Sequence, residues 1–380
     1  MEQVASWISA DNSFALLAVF FAIAAIATTI EKTRIGRRVS GVMFAIAMAM
    51  ALANFGVIPS SAPTYTVIWT LLVPMAIALF LIRADLVSIV VEGGRTLIVF
   101  GFGVMGVIVG AWLGTLLLDL GTYEAEYAGV FSATYVGGSL NFAAVAEAIG
   151  FRDASALAAG VAIDNVVGIC YLLFVGAMAG NALFQKHFAW RADRLGTSSG
   201  SVVTQARAPT VLDFSVSLGL AALACAAGDA LASLFGQPSY GILFVTAIMV
   251  AVATLARRWL SEIAGPELIA TLFMYLFFAM LGAGADLTAL LDAAPALFAY
   301  VLFIFFVHVV FVMVGARLFR LNHAEIVIAS AACIGGPPIS AAFAVLFGWR
   351  RLAVPAVAIG VLGYVLGNFV GIGLFEWVGP

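Results

Sequence analysis

Residues 132–152 read SATYVGGSLNFAAVAEAIGFR, and residues 330–350 read SAACIGGPPISAAFAVLFGWR. Aligned without gaps, nine of the 21 positions are identical: Ser132, Ala133, Gly137, Gly138, Ala143, Ala144, Ala146, Gly150 and Arg152 in the first copy. The copies stand 198 residues apart. Each lies within an apolar stretch, 127–149 or 325–347, and carries helix breakers in its middle. These are Gly137-Gly138 in one and Gly335-Gly336-Pro337-Pro338 in the other. Glycine opens dihedral space closed to other residues, and proline removes a backbone donor. Both stretches therefore read as helix, break, helix.

A second echo supports the repeat. Ala84-Asp85-Leu86 returns as Ala285-Asp286-Leu287, at an offset of 201. An apolar composition alone explains shared Ala and Leu. It does not explain shared Gly-Gly, Gly-aromatic-Arg and Asp positions. The chain divides into a first repeat over 1–180, a linker over 181–210 and a second repeat over 211–380. The linker holds Lys186, Arg191, Arg194 and Arg207.

Of the 380 residues, 64% are hydrophobic and 10% charged, and the mean hydropathy is +1.14. A soluble domain is about 45–50% apolar and about 25% charged. The excess excludes soluble enzymes and secreted disulfide scaffolds. A net charge of −3 leaves no basic face for nucleic acid. Cys170, Cys225 and Cys333 lie in apolar runs without metal or disulfide spacing and read as packing thiols. A span needs about 20 mainly apolar residues. Ten runs qualify: 13–30, 39–58, 65–82, 96–118, 155–180, 211–235, 240–256, 266–284, 294–316 and 352–378. No Lys or Arg precedes Lys32, so the first run reads as a retained span rather than a signal peptide.

Lys and Arg collect in cytoplasmic loops. This decides how the two interrupted stretches are threaded. If each enters and leaves on one side, 16 of the 17 basic residues share a face, and Arg152 alone lies opposite. That opposite face then carries Asp119, Glu124, Glu126, Asp286 and Asp292. If both stretches cross, the split is nine against eight. The first arrangement is expected. It predicts an all-α polytopic membrane protein of two inverted five-span repeats, each with a re-entrant hairpin. Both termini face outward, and a broken crossing helix is the structural alternative.

Non-helical backbone at membrane depth survives only where protein buries it or water reaches it. Paired interruptions in corresponding halves are the best sequence pointer to a transporter's binding site. The expected solute contacts are Thr134, Gly137, Gly138, Ser139 and Asn141 from the first break. Gly335, Gly336, Pro337 and Ser340 come from the second. Ser132, Ser330 and Cys333 are polar neighbours. Asp164-Asn165 lies well inside the span 155–180. A carboxylate there costs at least roughly 2.5–3.5 kcal/mol and usually marks an ion or substrate pathway. With the Asn165 amide oxygen it suits Na⁺, and alone it suits proton exchange. Glu147 and Asn368 are further ion-coupling candidates. His308 reads as a hydrogen-bonded core histidine, and His187 and His323 as solvated. Asp85 and Asp286 read as helix N-caps. Asn54 and Pro74 read as packing or kink positions. Enzyme motifs are absent: no HExxH, no G-x-S-x-G and no phosphate loop. No cofactor is expected beyond a coupling Na⁺ or H⁺.

Three segments together carry a resemblance: YVGGSLNFAAVAEAIG, AAGVAIDNVVG and IGGPPISAAFAVLFGWRRLAVPAVAIGVLGYVLGN. They resemble the membrane proteins grouped as domain-of-unknown-function family 819, over essentially the whole chain. That family looks like a branch of the cation:proton antiporter and anion transporter group. The glutamate:sodium and 2-hydroxycarboxylate symporters there carry Gly-Gly motifs in two opposed hairpins, a pattern that Gly137-Gly138 and Gly335-Gly336 match. Asn-Asp or Asp-Asp pairs are ion sites in the antiporters. Asp164-Asn165 has the reversed order, which leaves Na⁺ and H⁺ both open. The resemblance implies a homodimer in the cell (inner) membrane that moves a core against a scaffold as an elevator. The expectation is an ion-coupled transporter of a small polar or anionic solute such as an amino acid, short peptide or carboxylate. A cation:proton antiporter is the alternative, and a channel or membrane enzyme is a more distant one.

Overall fold

A computed structural model describes residues 6–33, 41–188, 207–237 and 240–379. Arg34, Arg37, Arg38, Arg191 and Arg194, counted above in the charge split, lie outside the described residues. All regular structure among the described residues is helical. The first half holds α1 (Ser13–Glu31), α2 (Gly41–Asn54), α3 (Pro63–Val67), α4 (Val73–Phe80), α5 (Leu86–Gly93), α6 (Thr96–Leu117), α7 (Glu124–Gly137), α8 (Leu140–Ala148) and α9 (Ala154–Gly180). After α10 (Ala182–His187) come α11 (Val211–Leu234), α12 (Gly241–Leu255), α13 (Arg257–Leu260), α14 (Pro266–Gly284), α15 (Leu287–Leu318), α16 (His323–Leu346) and α17 (Ala353–Val378).

Among the described residues nine helices are long and apolar enough to cross a membrane. Eight of them coincide with expected spans; the ninth is α16. The other two expected spans, 39–58 and 240–256, appear as the shorter α2 and α12. At 1.5 Å per residue they extend roughly 21–23 Å, short of an about 30 Å hydrocarbon core. Large apolar side chains are exposed along the nine longer helices, among them Phe14, Leu173, Leu212, Leu223, Phe306 and Trp377. Such a surface would aggregate in water and suits lipid.

Local chemistry sets the helix ends. Asp85 accepts from Val87 N at 3.0 Å and Asp286 from Thr288 N at 2.8 Å, so both are N-caps as expected. Hydrogen bonds from the Thr288 hydroxyl and the Ala289 and Thr288 amides hold the Asp286 carboxyl below its ordinary pKa. Asn322 and Glu325 close a capping box on α16. Pro74 cannot donate to the turn before it. Residues Ile68–Leu72 accordingly widen into a π-helical turn that joins α3 to α4.

Two helix groups follow from the packing. One pairs α2 with α14, and α11 with α12 and α4, with α1 against α2 and α14. The other packs α7 on α17, α6 on α15, α16 on α17 and α9 on α15. In the second group α8 doubles back along α7. Phe151 packs on Tyr123 at 5.1 Å and Tyr127 at 5.6 Å, and Phe142 lies 6.0 Å from Phe131. The second limb of α16 also returns on the first, with Trp349 5.5 Å from His323. Phe151 and Trp349 are equivalent positions of the repeat. His323 is therefore half-buried under an aromatic ring, which corrects its reading as a solvated residue.

Candidate functional site at the two helix breaks

The breaks turn on Gly138 (φ 103°, ψ 170°) and Gly336 (φ 68°, ψ −167°). These dihedrals are essentially reserved for glycine. The two turns meet tip to tip. A Cβ on Gly138 would lie 3.5 Å from Gly336 N, and one on Gly336 would lie 3.0 Å from Gly137 O. Helix α17 seals the junction. A Cβ on Gly363 would lie 2.5 Å from Val136 O, and one on Gly360 would lie 2.5 Å from Pro337 N. The Tyr364 hydroxyl covers Gly336. Gly335 packs on Ile339 of its own turn.

Asp164 reaches this junction from α9. It is only 5% exposed, and its Oδ2 accepts from the Ser139 hydroxyl at 2.6 Å. Ser139 is the N-cap position of α8. The carboxylate thus sits at the positive end of a helix dipole. The Tyr135 hydroxyl is buried next to Asp164 but makes no hydrogen bond of ordinary geometry among the described residues. Asn165 turns elsewhere: its Nδ2 donates to Val161 O at 2.8 Å on the same helix.

Asn141 and Asn368 form a second polar cluster. Asn141 Nδ2 donates to Tyr364 O at 3.0 Å, and Asn368 Nδ2 donates to Thr246 Oγ1 at 3.0 Å. Asn368 Oδ1 is buried without a partner among the described residues. Both amides line a small cavity with Tyr364, against Ile77, Phe80 and Leu81 of the neighbouring helix group. Glu147 lies apart, in a third place. It is ion-paired with Arg152 at 3.7 Å on the wall of a cavity of about 640 Å³.

The remaining polar candidates bond the backbone. Thr134 Oγ1 donates to Val130 O at 2.6 Å, and Ser132 Oγ donates to Gly129 O at 3.0 Å. Ser340 Oγ lies 3.0–3.1 Å from the carbonyls of Gly336, Pro337 and Ala356, and so ties the second limb to α17. Cys333 is buried, 3.9 Å from Phe100 O. His308 is a buried core histidine: Nδ1 lies 3.0 Å from Gly103 O and Nε2 3.1 Å from Ser330 Oγ. A carbonyl only accepts, so Nδ1 carries the proton and Nε2 accepts from Ser330. Ser330 in turn accepts from Tyr171 at 2.7 Å.

Sequence reasoning missed Tyr135, Tyr364, Thr246 and Asp229. Tyr135 stands four residues before Ser139, on the last turn of α7 before the break. A search for the partners that a lone buried carboxylate requires would have reached it. The others come from distant elements and carry no local pattern.

Comparison with known proteins agrees with the architecture. The family profile described as "Protein of unknown function (DUF819)" matches residues 15–379. The "Uncharacterized membrane protein YjcL" of Bacillus subtilis (strain 168) is 30% identical over 390 residues, covering 98% of each chain. The chain belongs to the DUF819 family, and it is a multi-pass membrane protein whose regular structure is helical throughout the described residues.

Proposed function

We propose that this protein is an ion-coupled secondary transporter of a small polar or anionic organic solute, such as an amino acid, short peptide or carboxylate. It works as an elevator, built from two inverted repeats with opposed re-entrant hairpins, as in the cation:proton antiporter and anion transporter group. The observation that carries the reading is the meeting of Gly138 and Gly336, with Asp164 tied to the first tip through Ser139. Bent backbone at the protein interior, in equivalent places of both halves, is the arrangement expected of a solute site.

The chemistry follows from the Asp164–Ser139 contact. With its carboxylate charged, Asp164 holds the Ser139 hydroxyl and occupies the α8 N-terminus. A Na⁺ or H⁺ neutralises the carboxylate and releases that hydroxyl and the nearby amides to the solute. Ion and solute therefore bind with positive coupling, which is reciprocal. The two helix groups supply the moving core and the static frame, in contact through α9 with α14, α17 with α12, and α8 with α4. A homodimer joined through the frame completes the arrangement.

A cation:proton antiporter without organic solute is the competing reading, because a single carboxylate alternating between proton and cation suffices for it. Proteoliposome counterflow separates the two. Saturable exchange of labelled organic solute, stimulated by Na⁺ or by a pH gradient, supports the symporter. Cation-driven proton movement with no solute flux in any member of a broad solute panel would replace it with the antiporter.

A further inference from the structure

The 640 Å³ cavity beside the first broken helix is of the size that takes a small solute. Its walls come from both helix groups. Glu147 and Arg152 belong to the limb and turn after Gly138, and Asp229 to α11 opposite. We propose that this cavity is the entry site for a zwitterionic solute, with Arg152 receiving its carboxylate and Glu147 and Asp229 its ammonium group. The inference rests on the transporter reading above and narrows its solute class.

Arg152 is prepared to receive an anion. Its guanidinium carbon lies 4.3 Å from the centroid of the Trp69 ring, a cation–π contact that anchors the group at the cavity wall. The 3.7 Å approach to Glu147 is an ion pair but too long for a hydrogen bond. No N–H of Arg152 makes a hydrogen bond among the described residues, and 48% of its side chain is exposed. A guanidinium anchored on a ring, with its donors unfilled, suits a carboxylate.

Asp229 supplies the complement. It has no ion pair or hydrogen bond among the described residues, and its carboxylate is near enough to repel that of Glu147. Two carboxylates against one guanidinium leave the cavity one negative charge in excess. A dianion entering meets that excess. A simple cation leaves the guanidinium edge unfilled. A molecule carrying one ammonium and one carboxylate satisfies both sets. Arg152 is also the one basic residue that the charge asymmetry assigns to the outer face, so this cavity is where a carboxylate finds a partner there.

The test uses the full chain in lipid nanodiscs, with L-alanine and glycylglycine as zwitterions, succinate as dianion and putrescine as dication. Equilibrium binding and thermal unfolding are read in wild type, Asp229→Asn and Arg152→Lys. The expected result is saturable zwitterion binding, weakened roughly tenfold or more by either substitution while unfolding temperatures hold. Succinate or putrescine binding as well as the zwitterions would overturn the inference. So would an unchanged affinity in Asp229→Asn, or no zwitterion binding up to about 10 mM. Zwitterion binding without uptake sinks the transporter reading and leaves this site standing. Uptake indifferent to Asp229→Asn sinks this site and leaves the transporter reading standing.

Discussion

Ser139 and Asp164 stand 25 positions apart in the chain, yet their side chains meet at 2.6 Å inside the protein. Among the described residues this is the direct side-chain hydrogen bond from the tip of the first broken helix to α9. Asp164→Asn keeps the shape and removes the charge, and is expected to abolish cation-stimulated transport and its pH dependence. Ser139→Ala keeps the charge and removes one charge-assisted hydrogen bond, worth roughly 1.5–3 kcal/mol. Its expected effect is a shift of about tenfold to a hundredfold in the cation concentration for half-maximal uptake. Asn165→Ala should act more mildly, since that amide bonds its own helix. Uptake against Na⁺ and pH in the three variants checks this. A wild-type response in Asp164→Asn makes the carboxylate structural.

The turn glycines permit a test with an internal control. Gly138→Leu and Gly336→Leu should abolish uptake while the protein still reaches the membrane. Gly236 also has a positive φ, of 70°, but a Cβ there meets nothing within 4 Å. Gly236→Ala therefore carries backbone strain of about 1–3 kcal/mol without a clash, and uptake should persist. Normal uptake in both leucine variants would reduce Gly138 and Gly336 to packing residues.

Where α7 crosses α17, the limit is steric. Gly137→Ala and Gly363→Ala each drive a methyl group into opposing backbone. Overpacking costs about 1–3 kcal/mol, and more where backbone cannot yield. Both variants should lower the unfolding temperature. Gly176→Ala, with Phe343 at an ordinary 3.7 Å, should not.

Topology is open to cysteine labelling in a background lacking Cys170, Cys225 and Cys333. Residues 181–210 should label from the cytoplasm and 119–126 from outside. Because Phe151 rests on Tyr123 and Tyr127, residues 150–154 should label with 119–126. Labelling of 150–154 from the cytoplasm would remove the re-entrant reading.

The histidine network makes a separate prediction. Ser330→Ala leaves the Tyr171 hydroxyl and His308 Nε2 buried without this partner, a cost of roughly 1–3 kcal/mol. Stability should fall while the pH response of uptake stays. A changed pH response would return His308 to the proton pathway.

Much of this arrangement is visible in the sequence because apolar runs and their breakers are local signals. The span 266–284 coincides with α14, and 155–180 misses α9 by one residue. Gly137-Gly138 and Gly335-Gly336 mark both turns because the second glycine of each pair takes dihedrals essentially reserved for glycine. What stays hidden is long-range pairing. Asn141 meets Tyr364 across 223 positions, and Asn368 meets Thr246 across 122. Asp229 has no motif around it and becomes informative only once α11 stands opposite Arg152. The π-helical turn before Pro74 is likewise invisible to a periodicity argument, since both sides of it remain apolar helix.

Pro337 and Pro338 begin the second limb of α16, where a helix would normally offer two free N–H groups. Neither proline has one. The limb beginning at Ser139 keeps its amides and has a charged neighbour in Asp164. The two leaves of this latch are thus alike in outline and unlike in the donors they offer. On the transporter reading, the leaf beside Asp164 is the one that a change of charge reaches, since Pro337 and Pro338 offer no amide to it. On that reading a single ionisation at Asp164 acts on one leaf and not on the other. Repetition of form across the two halves therefore does not repeat their chemistry.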